Sequence, residues 1–135
     1  MITPTEEYGQ YAGKIWEILN AMGPLSETNL LKTTKLDEKT FHAAVGWLAK
    51  ENKICRNGTI YKLGESNLTP KIGADAGKVW KTLEAWGEVD VSNITKLTQI
   101  DEKEAYSALG WLARENKIDA KKTKLKDRQV KFRLK

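Results

Sequence analysis

Apolar residues recur at helical spacing in the first stretch of the chain. The residues that share one arc of this helix are Tyr8, Ala12, Ile15, Trp16, Leu19 and Met22. Gly23 follows them, and glycine commonly ends a helix because it adopts the left-handed backbone at no steric cost. The pattern therefore predicts a first helix that buries one face and ends before Gly23.

Two further helices and a hairpin are predicted downstream. A short helix spans about Glu27–Thr33, with Ser26 as its N-cap, and a longer one begins after Asp37. The core row of the longer helix is Phe41, Ala44, Val45 and Leu48. The segments Lys53–Arg56 and Thr59–Leu63 flank Asn57-Gly58, a dipeptide typical of two-residue hairpin turns.

This whole pattern occurs twice. The segment AGKIW at Ala12–Trp16 returns as AGKVW at Ala76–Trp80, and GWLAKENKI at Gly46–Ile54 returns as GWLARENKI at Gly110–Ile118. Both repeats have the same offset, 76 − 12 = 110 − 46 = 64 residues. The Gly64–Lys71 segment is typical of a linker.

The two copies predict the domain organisation and the fold class. We expect one domain at residues 1–66 and a second at 67–135, each with three helices followed by a C-terminal hairpin. A short second helix that leads through a tight turn into a longer third helix is typical of the winged helix-turn-helix. The fold class predicted is α+β and helix-rich.

The repeated motifs also resemble those of a known family. The run Ala108–Ile118, together with Ala76–Trp80, is similar to the signature of a small prokaryotic winged helix-turn-helix family of uncharacterised function. The resemblance covers both copies and implies the winged helix fold. By analogy it implies a nucleic-acid role, although winged helices also serve as protein–protein modules. The present chain differs from the usual single-domain members in being a tandem.

Charge is distributed unevenly between the copies. The chain carries a net charge of +5, and residues 1–68 contain eight basic and eight acidic residues. The segment 117–135 contains nine basic and two acidic residues. Positive charge is therefore concentrated in the second hairpin, which we call the second wing.

The third helix of each copy has a candidate binding face opposite its core row. Projection places Lys39, Ala43, Gly46 and Lys50 on this face in the first copy, and Lys103, Ser107, Gly110 and Arg114 in the second. Small residues between two cations would suit phosphate and groove contact. A glycine inside a helix costs about 1 kcal/mol relative to alanine. The repeated glycines therefore indicate close packing, either against a groove or against another helix, including that of the other copy.

The second wing is the stronger nucleic-acid signal. Aligning Tyr61 with Phe132 makes it longer than the first wing by (132 − 61) − 64 = 7 residues. In its last strand Val130, Phe132 and Leu134 alternate with Lys131, Arg133 and Lys135, so one face is basic. The phosphate-contacting residues that we predict here are Lys121, Lys122, Lys124, Lys126, Arg128, Lys131 and Arg133. The alternative is an edge strand on which lysines oppose aggregation.

The first copy carries apolar residues where the second copy is polar. Tyr11 and Ile18 correspond to Asp75 and Thr82, and Ile60 corresponds to Lys131. Exposed apolar residues favour a contact with another protein surface. We therefore expect Tyr11, Ile18 and Ile60 to form a protein interface.

Nothing in the sequence assembles catalytic chemistry. His42 is the only histidine and lies on the flank of the third helix, where we expect it to be partly exposed. Cys55 is the only cysteine, so neither a nucleophile with its base nor a metal cluster is expected. We predict that the protein is not an enzyme and uses no cofactor and no metal.

The tryptophans are expected to be structural. Trp16 and Trp80 lie on the apolar arc of their helices and are predicted to be core residues. Trp47 and Trp111 lie at the edge of the third helix, and we favour packing under the wing over stacking on a partner.

These observations favour a transcription-regulator-like protein that binds nucleic acid, preferably duplex DNA, through its backbone. The alternative is a protein-interaction scaffold of two docked winged helices that binds no nucleic acid. The N-terminus lacks the basic and apolar segments of a signal peptide, and no apolar run suits a membrane. We expect a cytoplasmic monomer or homodimer with no membrane partner.

Overall fold

Two similar arrangements of helices and strands follow each other along the chain. The computed structural model describes residues 3–122 and 130–135. The elements of the first copy are α1 (Pro4–Met22), β1 (Leu25–Ser26), α2 (Glu27–Thr34), α3 (Glu38–Lys50), β2 (Ile54–Asn57) and β3 (Ile60–Leu63). Those of the second copy are α4 (Thr69–Trp86), β4 (Val89–Asp90), α5 (Val91–Thr98), α6 (Glu102–Arg114), β5 (Ile118–Lys122) and β6 (Val130–Leu134).

The helices begin and end where the capping residues predict. Ser26 and Asp37 accept hydrogen bonds from the first turns of α2 and α3, and Asp101 forms a capping box with Glu104 at the start of α6. These side chains satisfy backbone N–H groups that have no partner within the helix. Gly23 follows α1 with φ 79°, in the glycine-favoured region.

Each copy contains a three-stranded antiparallel sheet rather than a hairpin alone. The strand orders are β1-β3-β2 and β4-β6-β5. The two-residue strands β1 and β4 were not predicted, because two residues are too short to show alternation.

The first hairpin turn lies one residue later than predicted. Asn57 pairs with Ile60, so the two-residue loop is Gly58-Thr59 rather than Asn57-Gly58. Gly58 has φ 61°, whereas Thr59 is not among the residues with positive φ. Glycine therefore occupies the first central position of the turn, as it does in one of the two common hairpin classes.

The first helix of each copy contributes one residue to the hydrophobic core of the other copy. Tyr8 of α1 belongs to the core cluster of the second copy, and Ile72 of α4 belongs to that of the first. These positions are equivalent, since 72 − 8 = 64. The copies are thus interlocked through apolar contacts as well as joined by the linker.

Three predictions about single side chains are wrong, and one concerns Met22, which lies on the predicted apolar arc but is 60% exposed at the end of α1. His42 is buried, at 5% exposure, because the second copy covers the flank of α3 on which it lies. Trp16 is 37% exposed and is not a core residue, since Ile15 takes the buried position beside it. In the ranges 3–122 and 130–135, no helix is both long and apolar enough to cross a bilayer.

Candidate nucleic-acid interface

The third helices of the two copies, α3 and α6, pack directly against each other. A Cβ atom added to Gly46 would lie 1.9 Å from the carbonyl oxygen of Ser107, and one added to Gly110 would lie 1.7 Å from that of Ala43. Any side chain would therefore collide with the backbone of the opposite helix. The repeated glycines indicated close packing against a groove or against another helix. In this structure they pack against the third helix of the other copy.

The contacts are reciprocal, as in a two-fold symmetric dimer. Lys50 Nζ lies 3.7 Å from Glu115 Oε2, and Arg114 Nε donates to Glu51 Oε2 at 3.0 Å. The two ion pairs occupy equivalent positions in the repeat, because 114 − 50 = 64 and 115 − 51 = 64. Each cation at the end of a third helix therefore has a carboxylate partner in the other copy.

The same cations lie over tryptophan rings. Lys50 Nζ is 5.1 Å from the centroid of Trp111, and Arg114 Cζ is 5.9 Å from that of Trp47. Both rings also pack against the two hydrophobic clusters. A Cβ added to Gly9 would lie 2.8 Å from Trp47, and one added to Gly73 would lie 3.4 Å from Trp111, so each ring also lies against the first helix of its own copy. Packing under the wing stays a prediction.

The other predicted residues of the third helices differ in accessibility. Lys39 Nζ lies 3.9 Å from Glu102 Oε1, and both side chains are more than half exposed. Ser107 is only 8% exposed. Lys103 is exposed and is not within 4 Å of a carboxylate among the residues that the structure describes. The faces that we predicted for groove contact thus cover each other along most of their length.

The outer face of the second wing carries several cations in register. Lys121 pairs with Lys131 directly across β5 and β6, and Arg133 pairs with Asp119. Alternate residues of a strand share a face, so these four side chains project on the side opposite buried Ala120 and Phe132. The structure therefore brings Lys121, Lys131 and Arg133 together, and their contact with phosphate stays a prediction.

Two carboxylates lie beside these cations, since Asp119 is directly opposite Arg133 and Asp90 of β4 is directly opposite Lys131. Asp119 Oδ1 lies 3.9 Å from Lys135 Nζ, and Asp90 accepts a hydrogen bond from Asn93 as the N-cap of α5. Within the described part of the chain, none of the ion pairs within 4 Å involves Lys121, Lys131 or Arg133. Lys121 and Arg133 are exposed and Lys131 is half-buried, so this face is a cationic patch on which cations outnumber carboxylates.

The remaining predicted residues of the wing do not join that patch. Lys122 pairs with Val130 on the opposite face of the sheet and lines a groove that also contains Glu7 and Tyr8 of the first copy. The predicted contacts Lys124, Lys126 and Arg128 lie outside the described residues.

The residues predicted to form a protein interface are only partly available. Tyr11 and Ile18 are half-buried and pack against the hydrophobic cluster of the first copy. Ile60 is 41% exposed. Ile60 is therefore the most accessible of the three residues.

Sequence reasoning missed the acidic partners in the junction between the copies. Glu51 and Glu115 belong to the repeated KEN and REN motifs, and their recurrence in both copies was the signal that could have identified them. One copy alone gives no reason for an acidic residue there. The reason appears only when a cation of the other copy is placed beside it.

Comparison with known protein families gives two matches on the chain. The model of a winged helix-turn-helix domain, DUF2582, matches residues 4–63 and again residues 66–132. Nothing among curated proteins or solved structures matches the chain.

Proposed function

This chain belongs to the DUF2582 family of winged helix-turn-helix domains, and from that premise we propose that it binds duplex nucleic acid through the phosphate backbone. The second wing makes the contacts, and α3 and α6 stay packed against each other. The role is binding without catalysis, in a cytoplasmic, transcription-regulator-like protein.

The observation that carries the proposal is the like-charged pair Lys121 and Lys131, with Arg133 beside it. Like charges directly opposite each other on one sheet face are destabilising. The first wing has Asn57 and Ile60 at the equivalent cross-strand positions, so the fold itself does not require two cations there. Asp90, directly across from Lys131 on β4, offsets part of this repulsion, and a polyanion that contacts all three cations would offset the rest and release its counterions.

Contact through the wing explains why the third helices can remain docked. Insertion of either helix into a major groove would separate Gly46 from Ser107 and break the ion pairs of Lys50 and Arg114. Contacts to phosphates need no access to base edges, and they carry no direct sequence information. We therefore expect binding with little dependence on the base sequence.

The first prediction concerns salt. Binding of the full chain to a random-sequence duplex, followed by fluorescence anisotropy between about 50 and 200 mM salt, is expected to give a log–log slope of about −3, at roughly 0.9 for each of the three cations that contact phosphate. Arg133→Gln is expected to reduce the slope by about 0.9, because one phosphate contact is lost. Lys62→Gln, at the equivalent exposed strand position of the first wing, is the matched control and is expected to leave the slope unchanged.

A second pair of variants tests whether the second wing or the third helices contact nucleic acid. Lys50→Gln and Arg114→Gln should leave the salt slope unchanged, because these cations contact carboxylates of the other copy. A slope that falls with these variants and not with Arg133→Gln would contradict the proposal. A chain that shows no binding at low salt would favour the alternative, a scaffold for protein partners built on the docked third helices.

A further inference from the structure

Two cavities lie on opposite sides of the α3–α6 pair, at positions related by the repeat. One of about 520 Å³ is lined by Tyr8, Lys39 and Tyr106, and we call it the Tyr106 cavity. The other, of about 770 Å³, is lined by the equivalent residues Ile72, Lys103 and His42, and we call it the His42 cavity. Each is walled by both copies. Their equivalence makes one cavity a built-in control for the other.

The His42 cavity is chemically specialised relative to its counterpart. It has His42 where the repeat has Tyr106, and Glu27 where the repeat has Val91. From the second copy it gains Asp75 in place of Tyr11, and Ser107 in place of Ala43. These four polar replacements converge on one cavity from four helices.

Polar burial is concentrated at this cavity. The buried polar or charged residues of the described chain are Thr34, His42, Asp75 and Ser107. Three of these line the His42 cavity. Burying a polar group costs free energy unless it is hydrogen-bonded, and the equivalent positions show that the same fold forms without these groups.

One of the buried groups has unused hydrogen-bonding capacity. His42 Nε2 has no hydrogen-bond partner among the described residues and lies 3.7 Å from Glu27 Oε1, beyond hydrogen-bond range. Asp75, in contrast, accepts from Lys71 at 3.1 Å, and Lys71 also contacts Glu104 at 2.7 Å. On the Asp75 side, Lys71 is thus shared by two carboxylates, whereas on the His42 side the ring nitrogen Nε2 has no hydrogen-bond partner among the described residues.

Charges of both signs remain for a ligand. Arg56 and Lys103 line the cavity, and neither is within 4 Å of a carboxylate in ranges 3–122 and 130–135. Glu27 supplies the negative charge and accepts a hydrogen bond from the Tyr61 hydroxyl at 3.2 Å. The two cations come from different copies, so a ligand carboxylate between them would be held by both.

We infer that the His42 cavity binds a small zwitterion of amino-acid or dipeptide size. Its ammonium group lies against Glu27 beside His42, and its carboxylate lies between Arg56 and Lys103. The cavity volume falls within the range of about 300–1,000 Å³ that is usual for small-molecule sites. The site does not depend on nucleic-acid binding, since it shares no residue with the outer face of the second wing.

The test is an NMR titration of the isotopically labelled full chain with the common L-amino acids and simple dipeptides as probes. We expect at least one probe to shift the resonances of His42 and Ser107 with a Kd below about 1 mM. The amine and the carboxylic acid that each lack one charged group of that probe should bind at least about tenfold more weakly, because one side of the site would be left unpaired.

Substitutions that replace residues of the His42 cavity by their counterparts in the Tyr106 cavity identify the groups that bind the ligand. Glu27→Val and His42→Tyr install the residues of the Tyr106 cavity and should each weaken binding at least about tenfold. Glu27 is partly exposed, so its variant keeps the test valid if His42→Tyr does not fold. Tyr106→His, the matched control, should leave the Kd unchanged.

Three outcomes would overturn the inference. These are the absence of any zwitterion that binds with a Kd below about 1 mM, resonance shifts that map outside the His42 cavity, and binding of the carboxylic acid as tight as that of the amino acid. The last would indicate a simple anion site.

Discussion

At the scale of single residues, His42 is the group whose environment is most unusual. Burial lowers its pKa below the usual 6.5, and the cations Lys103 and Arg56 act in the same direction. The carboxylates of Glu27 and Glu38 oppose this effect but do not cancel it. Burial in the junction between the copies therefore favours the neutral imidazole of His42 over its charged form.

The pH dependence of stability follows from this shift. The unfolded chain binds a proton at His42 more readily than the folded chain. The contribution of neutral His42 to the free energy of unfolding is therefore complete above about pH 6.5 and decreases as the pH falls towards the lower pKa of the folded state. Urea denaturation across this window should show the decrease, and His42→Gln should flatten it.

Glu104 also contributes to the pH dependence of stability, but in a different pH range from His42. The ammonium of Lys71 lowers the pKa of Glu104 below 4.5, so its contribution is lost only at more acidic pH. A slope between pH 5 and 6.5 that persists in His42→Gln would contradict the assignment to His42.

The burial of His42 could not be predicted from the sequence. The helical pattern of one copy places it correctly on the flank of the third helix, but that pattern contains no information about a neighbouring copy. The core row, by contrast, was correct because Phe41, Val45 and Leu48 are buried against their own copy. The hydrophobic periodicity of one copy does not predict which of its residues the other copy buries.

At the scale of elements, the third helices are held close by two glycines. Gly46 and Gly110 contact the backbone of the opposite helix, whereas a Cβ added to Gly13 or Gly77 would meet no atom within 4 Å. All four lie inside helices, where glycine is unfavourable. Only for the first two does the structure provide a compensating contact. The sequence predicted this close approach and its candidate partners, and the structure identified the partner.

Substitution of these glycines should have opposite effects. Gly110→Ala would force α3 and α6 apart, because the added carbon would meet the carbonyl of Ala43, and we expect a loss of about 1–3 kcal/mol. Gly77→Ala, the control in an open helix position, should gain up to about 1 kcal/mol. Chemical denaturation measures both, and equal effects would contradict the role given to the glycine contact.

At the scale of the whole molecule, the two copies should behave as one cooperative unit. Tyr8 and Ile72 each fill the core of the other copy, and α3 and α6 join the copies through backbone contact, ion pairs and cation–tryptophan contacts. The pKa of Tyr8 is raised well above its usual value by burial, in agreement with its position inside the second copy. Neither copy has a complete core alone.

Unfolding is therefore expected in one step. Urea curves from tryptophan fluorescence and from circular dichroism should coincide. Tyr8→Ala should shift the whole curve by about 3 kcal/mol without splitting it, because the lost packing belongs to both copies. Ile72→Ala tests the same contact from the other side. Two separate transitions in either variant would show that the copies fold independently.

The reciprocal arrangement of the copies has an evolutionary consequence. In an assembly of identical subunits, a mutation on one side of the symmetry axis appears on the other side as well. Here each half is encoded separately, so one side can diverge while its mirror position is retained. Gene duplication thus lets His42 and Tyr106 follow different selective pressures within a single pair of helices.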